Sequence, residues 1–163
     1  MADFLFALSR RDNPRELTER VRMESESASI AHRSNGETQV VMGVKLNEFP
    51  WEGQFLEVGE LCLAWSGDAR EVNGISPPQD RVGPLLAELW REGCRHPLLK
   101  CTGPVALFVW DQRQNTFYCA RDKLGEIPVF IARADGVVYV SNHSEWLLRV
   151  SGIGIEPNTA LVA

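Results

Sequence analysis

Positive charge, histidine and long apolar runs are all scarce in this chain, and each scarcity removes a class of function. Lysine and arginine number 17 against 22 acidic residues, a formal charge of −5. That balance offers no basic footprint for a nucleic acid, so no such partner is expected. No apolar run approaches the roughly 18 residues of a bilayer span, and no membrane contact is expected. The opening Met1-Ala-Asp-Phe-Leu-Phe-Ala-Leu8 lacks a basic region before its short apolar stretch. It reads as a first strand rather than a signal peptide, with the cytoplasm as the default compartment. The cysteines at 62, 94, 101 and 119 form no Cys-x-x-Cys pair, and His32, His96 and His143 have no metal-like spacing with them. The thiols read as small buried hydrophobes in a reducing compartment, and a zinc site is not expected. There is no internal repeat and no low-complexity segment.

What is present is an ordinary globular composition. With 163 residues, 44% of them hydrophobic, the chain can bury one real core. Residues 3–9 read as a central strand. Asn13-Pro14 opens a helix with Leu17 and Val21 on one face, and the polar stretch Glu24 to Ser29 ends it. Asn35-Gly36 is a turn before a Val-rich strand from Thr38 to Leu46. Residues 48–59 read as loop, carrying Phe49, Trp51 and Phe55. Leu61 to Trp65 is an apolar strand ended by Ser66-Gly67-Asp68, and Asn73-Gly74 and Pro77-Pro78 mark turns. From Asp80 the residues Val82, Leu85, Leu86, Leu89 and Trp90 recur with helical spacing until Gly93, and Pro84 fits only the first turn. Strands at 127–133 and 136–141 join around Asp135-Gly136. Asn142-His-Ser-Glu145 then gives a capping-box start to a helix through Leu148. One domain over 1–150 with a tail or linker over 151–163 is the expected organisation. Trp65, Trp90, Trp110 and Trp146 are core candidates, and Trp51 is the tryptophan placed at an interface.

The most specific stretch runs from Gly103 to Pro128. Val105, Leu107 and Val109 alternate with Ala106, Phe108 and Trp110, which predicts a strand buried on both faces. Residues 111–115 supply a turn and 116–120 a returning strand. Ala120-Arg-Asp-x-x-Gly-x-x-Pro128 follows, and Val138-Tyr-Val140 leads into Ser144-Glu145-x-x-Leu148. This order resembles the class II glutamine amidotransferase (N-terminal nucleophile) half of asparagine synthetases, over about Gly103 to Leu148. The resemblance implies an N-terminal-nucleophile-hydrolase-like fold: an α+β, four-layer αββα sandwich. The residues alone give only a sheet-rich α+β chain.

In that family the nucleophile is a cysteine exposed at the mature N-terminus, whose own amine takes the thiol proton. The equivalent residue here is Ala2, so no catalytic residue is expected. The family's N-G-E segment, which builds the oxyanion site, aligns with Ser66, Gly67 and Asp68. Its carboxylate-clamping arginine aligns with Lys45, a point charge without the guanidinium fork. Its G-S-D stretch aligns with Pro78-Gln79-Asp80, where Asp80 either reaches an ammonium or caps the following helix. The R-H-R-G-P-D segment has no counterpart around Met23 to Ile30. Lys45, Ser66, Gly67, Asp68 and Asp80 would then line a vestigial pocket. Arg121, Asp122, Gly125 and Pro128 would form either a docking loop or a structural turn, with Asp122 accepting backbone N–H bonds and Gly125 supplying φ > 0.

Asparagine synthetases continue into an ATP-pyrophosphatase domain with an S-G-G-x-D-S loop. Neither that motif nor another phosphate loop occurs here, and no cofactor is expected. β-Lactam synthetases and lasso-peptide cyclases, which resemble this family, keep a degenerate front domain, and Phe4 to Lys45 look more like theirs. Three functions follow as expectations. The first is a silent amidotransferase-like domain partnering an ATP-dependent synthetase or cyclase domain in cis or in trans. The second is a glutaminase whose Cys has been replaced. The third is a small-molecule or peptide-binding module using the vacated pocket. Homo-oligomerisation is left open.

Overall fold

A computed structural model describes residues 3–10, 14–24, 29–45 and 54–154. In chain order the elements are β1 (Asp3–Ser9), α1 (Pro14–Met23), β2 (Ser29–Ser34), β3 (Gln39–Lys45), β4 (Gln54–Val58), β5 (Leu61–Gly67) and β6 (Glu71–Val72). There follow α2 (Gln79–Arg91), a 3-10 turn at Pro97–Lys100, β7 (Cys101–Thr102), β8 (Val105–Asp111), β9 (Thr116–Arg121), β10 (Phe130–Ala134), β11 (Val137–Ser141) and α3 (Ser144–Ser151). The chain is mixed α+β. Its five-stranded sheet has the order β10-β11-β1-β3-β2 and its four-stranded sheet β4-β5-β8-β9, with β6-β7 as a separate ribbon. All named pairings are antiparallel.

Side-chain alternation divides the interior into three cores. Phe4, Phe6, Val40 and Met42 of the larger sheet meet Cys62, Ala64, Ala106, Phe108 and Trp110 of the smaller one. Phe6 stacks on Phe108 with ring centroids 5.3 Å apart and tilts against Phe117 at the same distance. The other face of the smaller sheet, with Leu63, Trp65, Leu107 and Val109, packs on Val82, Leu86, Leu89 and Trp90 of α2. The outer face of the larger sheet, with Leu5, Ala7, Val41 and Tyr139, packs on Leu17 and Val21 of α1 and Trp146, Leu147 and Val150 of α3. Helix, sheet, sheet and helices therefore follow one another, an arrangement compatible with the expected α+β sandwich. Polar bonds tie the sheets at one end. Arg33 of β2 pairs with Glu57 of β4, and Gln112 Nε2 donates to Ser34 O at 2.7 Å.

Several local expectations need correction. Residues 54–58, read as loop, form β4, because Phe55 and Leu56 find opposite cores to pack against. The strand β2 went unread, since its Ser-Ile-Ala-His-Arg-Ser is too polar to declare itself without its pairing to β3. Asp80 is not the cap of α2. Pro78 holds that position without a side-chain bond, which moves Pro84 into the second turn. There it forgoes one backbone bond in a helix held by its buried face. The capping box at Asn142 is not formed either: His143 caps α3, its Nδ1 accepting from Trp146 N at 3.2 Å, and the helix runs past Leu148 to Ser151. The strand expected from 127 starts at Phe130. Trp65, Trp90, Trp110 and Trp146 are all buried; Trp51 lies outside the described residues.

Gly83 of α2 marks the tightest helix–sheet contact, because a Cβ there would stand 2.3 Å from Trp65 Cη2. Trp65 is wholly buried and has nowhere to retreat. Gly83→Ala should therefore destabilise the fold by about 1–3 kcal/mol through overpacking, although alanine is the better helix former by about 1 kcal/mol. Urea unfolding of the two chains measures the difference, and a variant as stable as the parent would show that α2 packs less closely.

Candidate functional site

The loop leaving β9 is held by one carboxylate. Asp122 N–H donates to Val105 O at 2.7 Å, which keeps the loop beside β8. Asp122 Oδ1 accepts from Leu124 N at 3.0 Å and Glu126 N at 3.2 Å, and Oδ2 accepts from Ile127 N at 3.2 Å. Its carbonyl accepts from Gly125 N at 3.1 Å. Partial burial pushes the Asp122 pKa up. The N–H groups of Ile127, Glu126, Gly125 and Leu124 outweigh that and hold it below the ordinary 3.8. Gly125 has φ +70°, and a Cβ there would lie 3.0 Å from Arg121 Cζ, so the guanidinium rests against the glycine. Ile127 closes the turn by entering the core between the sheets. Pro128 follows it into the approach to β10. In its hydrogen bonds this segment is a braced structural turn.

The Ser66–Asp68 segment is braced by backbone instead. Ser66 ends the alternation of β5 on the face of Cys62 and Ala64, between the sheets, and is wholly buried. Gly67 has φ +112°, and a Cβ on it would lie 2.0 Å from Pro104 O. A Cβ on Gly103 would in turn lie 2.2 Å from Asp68 O. Asp68 N–H donates to Pro104 O at 2.7 Å and Arg70 N–H to Thr102 O at 2.9 Å. The two segments cross at backbone contact, and the amide of Asp68 is consumed by that crossing. The Asp68 carboxylate stands 3.6 Å from Arg70 Nε. Gly67 O accepts from Gln79 Nε2 at 3.2 Å, so it is Gln79 that bonds α2 to this turn, while Asp80 is exposed in the first helical turn. Lys45 ends β3 opposite Asp3, and its side chain lies outside the described residues, as does Ala2.

Two features of this region escaped the sequence reading. Asn142 Oδ1 accepts from Phe4 N at 2.7 Å, and Ser141 Oγ donates to Phe4 O at 2.6 Å, so both clamp the start of β1. Only the pairing of β1 with β11 brings these positions, nearly 140 residues apart, together. The second is a pocket of about 270 Å³ between the crossing and the Asp122 loop, with Arg70, Thr102, Gly103, Asp122, Lys123 and Glu126 among its lining. Gly67 and Gly103 each permit a close backbone approach, but nothing in the sequence says that the two segments meet.

Cysteine chemistry at neutral pH is disfavoured in the described core. Burial pushes Cys62 up to about 11, with Glu57 adding to it, and burial pushes Cys101 up to about 11, with Cys94 adding to it. Burial raises Cys119 as well. These thiols stay protonated and are poor nucleophiles.

Residues 81–149 match the family model of a glutamine amidotransferase domain. The match spans most of α2, the ribbon strand β7, the β8–β9 hairpin, the Asp122 loop, β10 and β11, and most of α3. Arg121, Asp122, Gly125 and Pro128 fall inside the amidotransferase match, whereas Ala2, Lys45, Ser66, Gly67, Asp68 and Asp80 precede it. No curated protein matches the chain.

Removing the Asp122 carboxylate should loosen the loop. Asp122→Ala is expected to cost on the order of 1 kcal/mol, since its bonds to N–H groups are charge-assisted but open to solvent. The sign with pH follows from the depressed pKa. The contribution is whole above the ordinary 3.8 and is lost as pH falls through the lower folded value. Urea unfolding of parent and variant at neutral pH and in acid should therefore show a gap that closes in acid; a gap that widens in acid would contradict this account.

Proposed function

We propose that the chain is a catalytically silent glutamine-amidotransferase-like domain with an N-terminal-nucleophile-hydrolase-like fold. Its role is that of structural partner to an ATP-dependent synthetase or cyclase domain of the asparagine-synthetase kind. One observation carries this reading. The braced Asp122 loop lies within the matched amidotransferase stretch, while Ala2, Lys45 and Ser66 differ in kind from the family residues with which they align, although Gly67 and Asp80 are kept. Alanine stands immediately before β1, where the resemblance puts the thiol, and a methyl group cannot attack an amide. Serine stands for the oxyanion asparagine, and Asp68 spends its amide on Pro104 O. The clamp of Asn142 and Ser141 on Phe4 holds β1 in register, which serves a scaffold as well as it serves a catalyst.

Restoring a thiol separates scaffold from disabled enzyme. Ala2→Cys is expected to release no glutamate from glutamine above the rate of the parent chain, because Ser66 and Lys45 do not rebuild the glutamine site. Glutamate production in a coupled assay would overturn that, and would favour a glutaminase that lacks only its nucleophile. In parallel, size-exclusion chromatography with an ATP-dependent synthetase domain of the asparagine-synthetase kind should give a joint peak. Separate elution, with no effect on that enzyme's turnover, would remove the structural role.

A further inference from the structure

The end of the sandwich opposite the Asp122 loop holds a second pocket, of about 400 Å³, with an arginine-rich wall. It lies where the β4–β5 turn, the β8–β9 turn and the C-terminal end of α2 converge. Its volume falls in the ~300–1,000 Å³ range of small-molecule sites. Arg91 of α2, Arg95 of the loop that follows it and Arg113 of the β8–β9 turn line it. Among the described residues none of the three pairs with a carboxylate. Arg91 is positioned by donating Nη2 to Val58 O at 3.0 Å. Arg95 is positioned by the Trp90 ring, its Cζ 5.5 Å from the centroid.

Three guanidinium groups outnumber the two carboxylates, Asp111 and Glu60, in the lining. Asp111 is buried, and its carboxylate is already taken: Oδ2 accepts from Trp90 Nε1 at 2.9 Å and Oδ1 from Gln114 N at 3.0 Å. Glu60 is the remaining carboxylate in the lining. A cation in the last turn of a helix complements its dipole, which accounts for Arg91. It does not account for Arg113, which comes from the β8–β9 turn and brings a third guanidinium to the same cavity in a chain of net charge −5.

We propose that this pocket binds a small multivalent oxyanion, a phosphoryl or carboxylate group carried by a metabolite, between Arg91, Arg95 and Arg113. Guanidinium forks suit both groups because each presents paired oxygens at matching spacing. The site shares β5 and β8 with the region around Gly67 but sits at their other ends, so it stands independently of the proposed scaffold role.

Inorganic phosphate and citrate, titrated separately into the full chain at fixed ionic strength with sodium chloride as control, test the proposal. At least one should raise the melting temperature with a saturable dependence, as ligand binding to the native state requires. Whichever saturates at lower concentration names the preferred group. Arg95→Ala with Arg113→Ala, both exposed positions, should weaken that binding on the order of tenfold or more, as expected for losing charge-assisted contacts. Glu60→Gln should tighten it, whereas Arg133→Ala, on the edge strand β10, should leave it unchanged. The proposal fails if neither anion stabilises beyond matched sodium chloride, or if the double variant responds like the parent. Amide chemical shifts in the 58–61 and 111–115 turns supply a second readout that does not depend on stability.

Discussion

The constraint on which the rest of this structure depends is the burial of β8 on both faces. Every residue from Val105 to Asp111 is buried. Val105, Leu107 and Val109 form part of the core under α2, and Ala106, Phe108 and Trp110 part of the core between the sheets. One strand is thus a wall shared by two interiors. A slip of one residue would exchange the two sets of side chains and spoil both cores together. Each fully buried large side chain contributes about 1.5–3 kcal/mol, so the penalty for a slip is large against a domain's net stability.

The ends of β8 carry that fixity to the two candidate sites. At its start, Val105 O takes the amide of Asp122, and Pro104 O takes the amide of Asp68. At its finish, Asp111 takes the indole N–H of Trp90, which ties the β8–β9 turn to the end of α2. Both sites are therefore built on a strand held in one register, pinned by backbone bonds at its start and by the Asp111–Trp90 side-chain bond at its finish. Such rigidity preserves a surface for recognition whether or not any bond is made or broken there.

Much of the fold was legible because its strongest signals are local. The two-sided alternation of β8, the Leu and Trp spacing of α2 and the Gly-terminated turns each follow from a few neighbouring residues. The turn at Asp122 was legible too, since aspartate followed by a glycine three residues on is a local hydrogen-bonding pattern. What escaped was non-local. The strand β2 is polar and acquires its identity from pairing with β3. Residues 54–58 become a strand because β5 offers them an edge. His143 displaces the expected cap because Asn142 is drawn away to the backbone of Phe4, across the β1–β11 pairing.

The candidate sites divide along the same line. The identities of Ala2, Lys45 and Ser66 are facts of sequence, fixed before any coordinate is known. Neither the crossing of Gly67 with Gly103 nor the meeting of Arg91, Arg95 and Arg113 can be read from spacing. Those depend on which strands pair and on where a helix ends above them, and burial summed over the whole chain selects that arrangement. Sequence alone determined the side chains and the short-range turns. Tertiary structure decided which of them meet, because only folding brings distant segments to hydrogen-bonding distance.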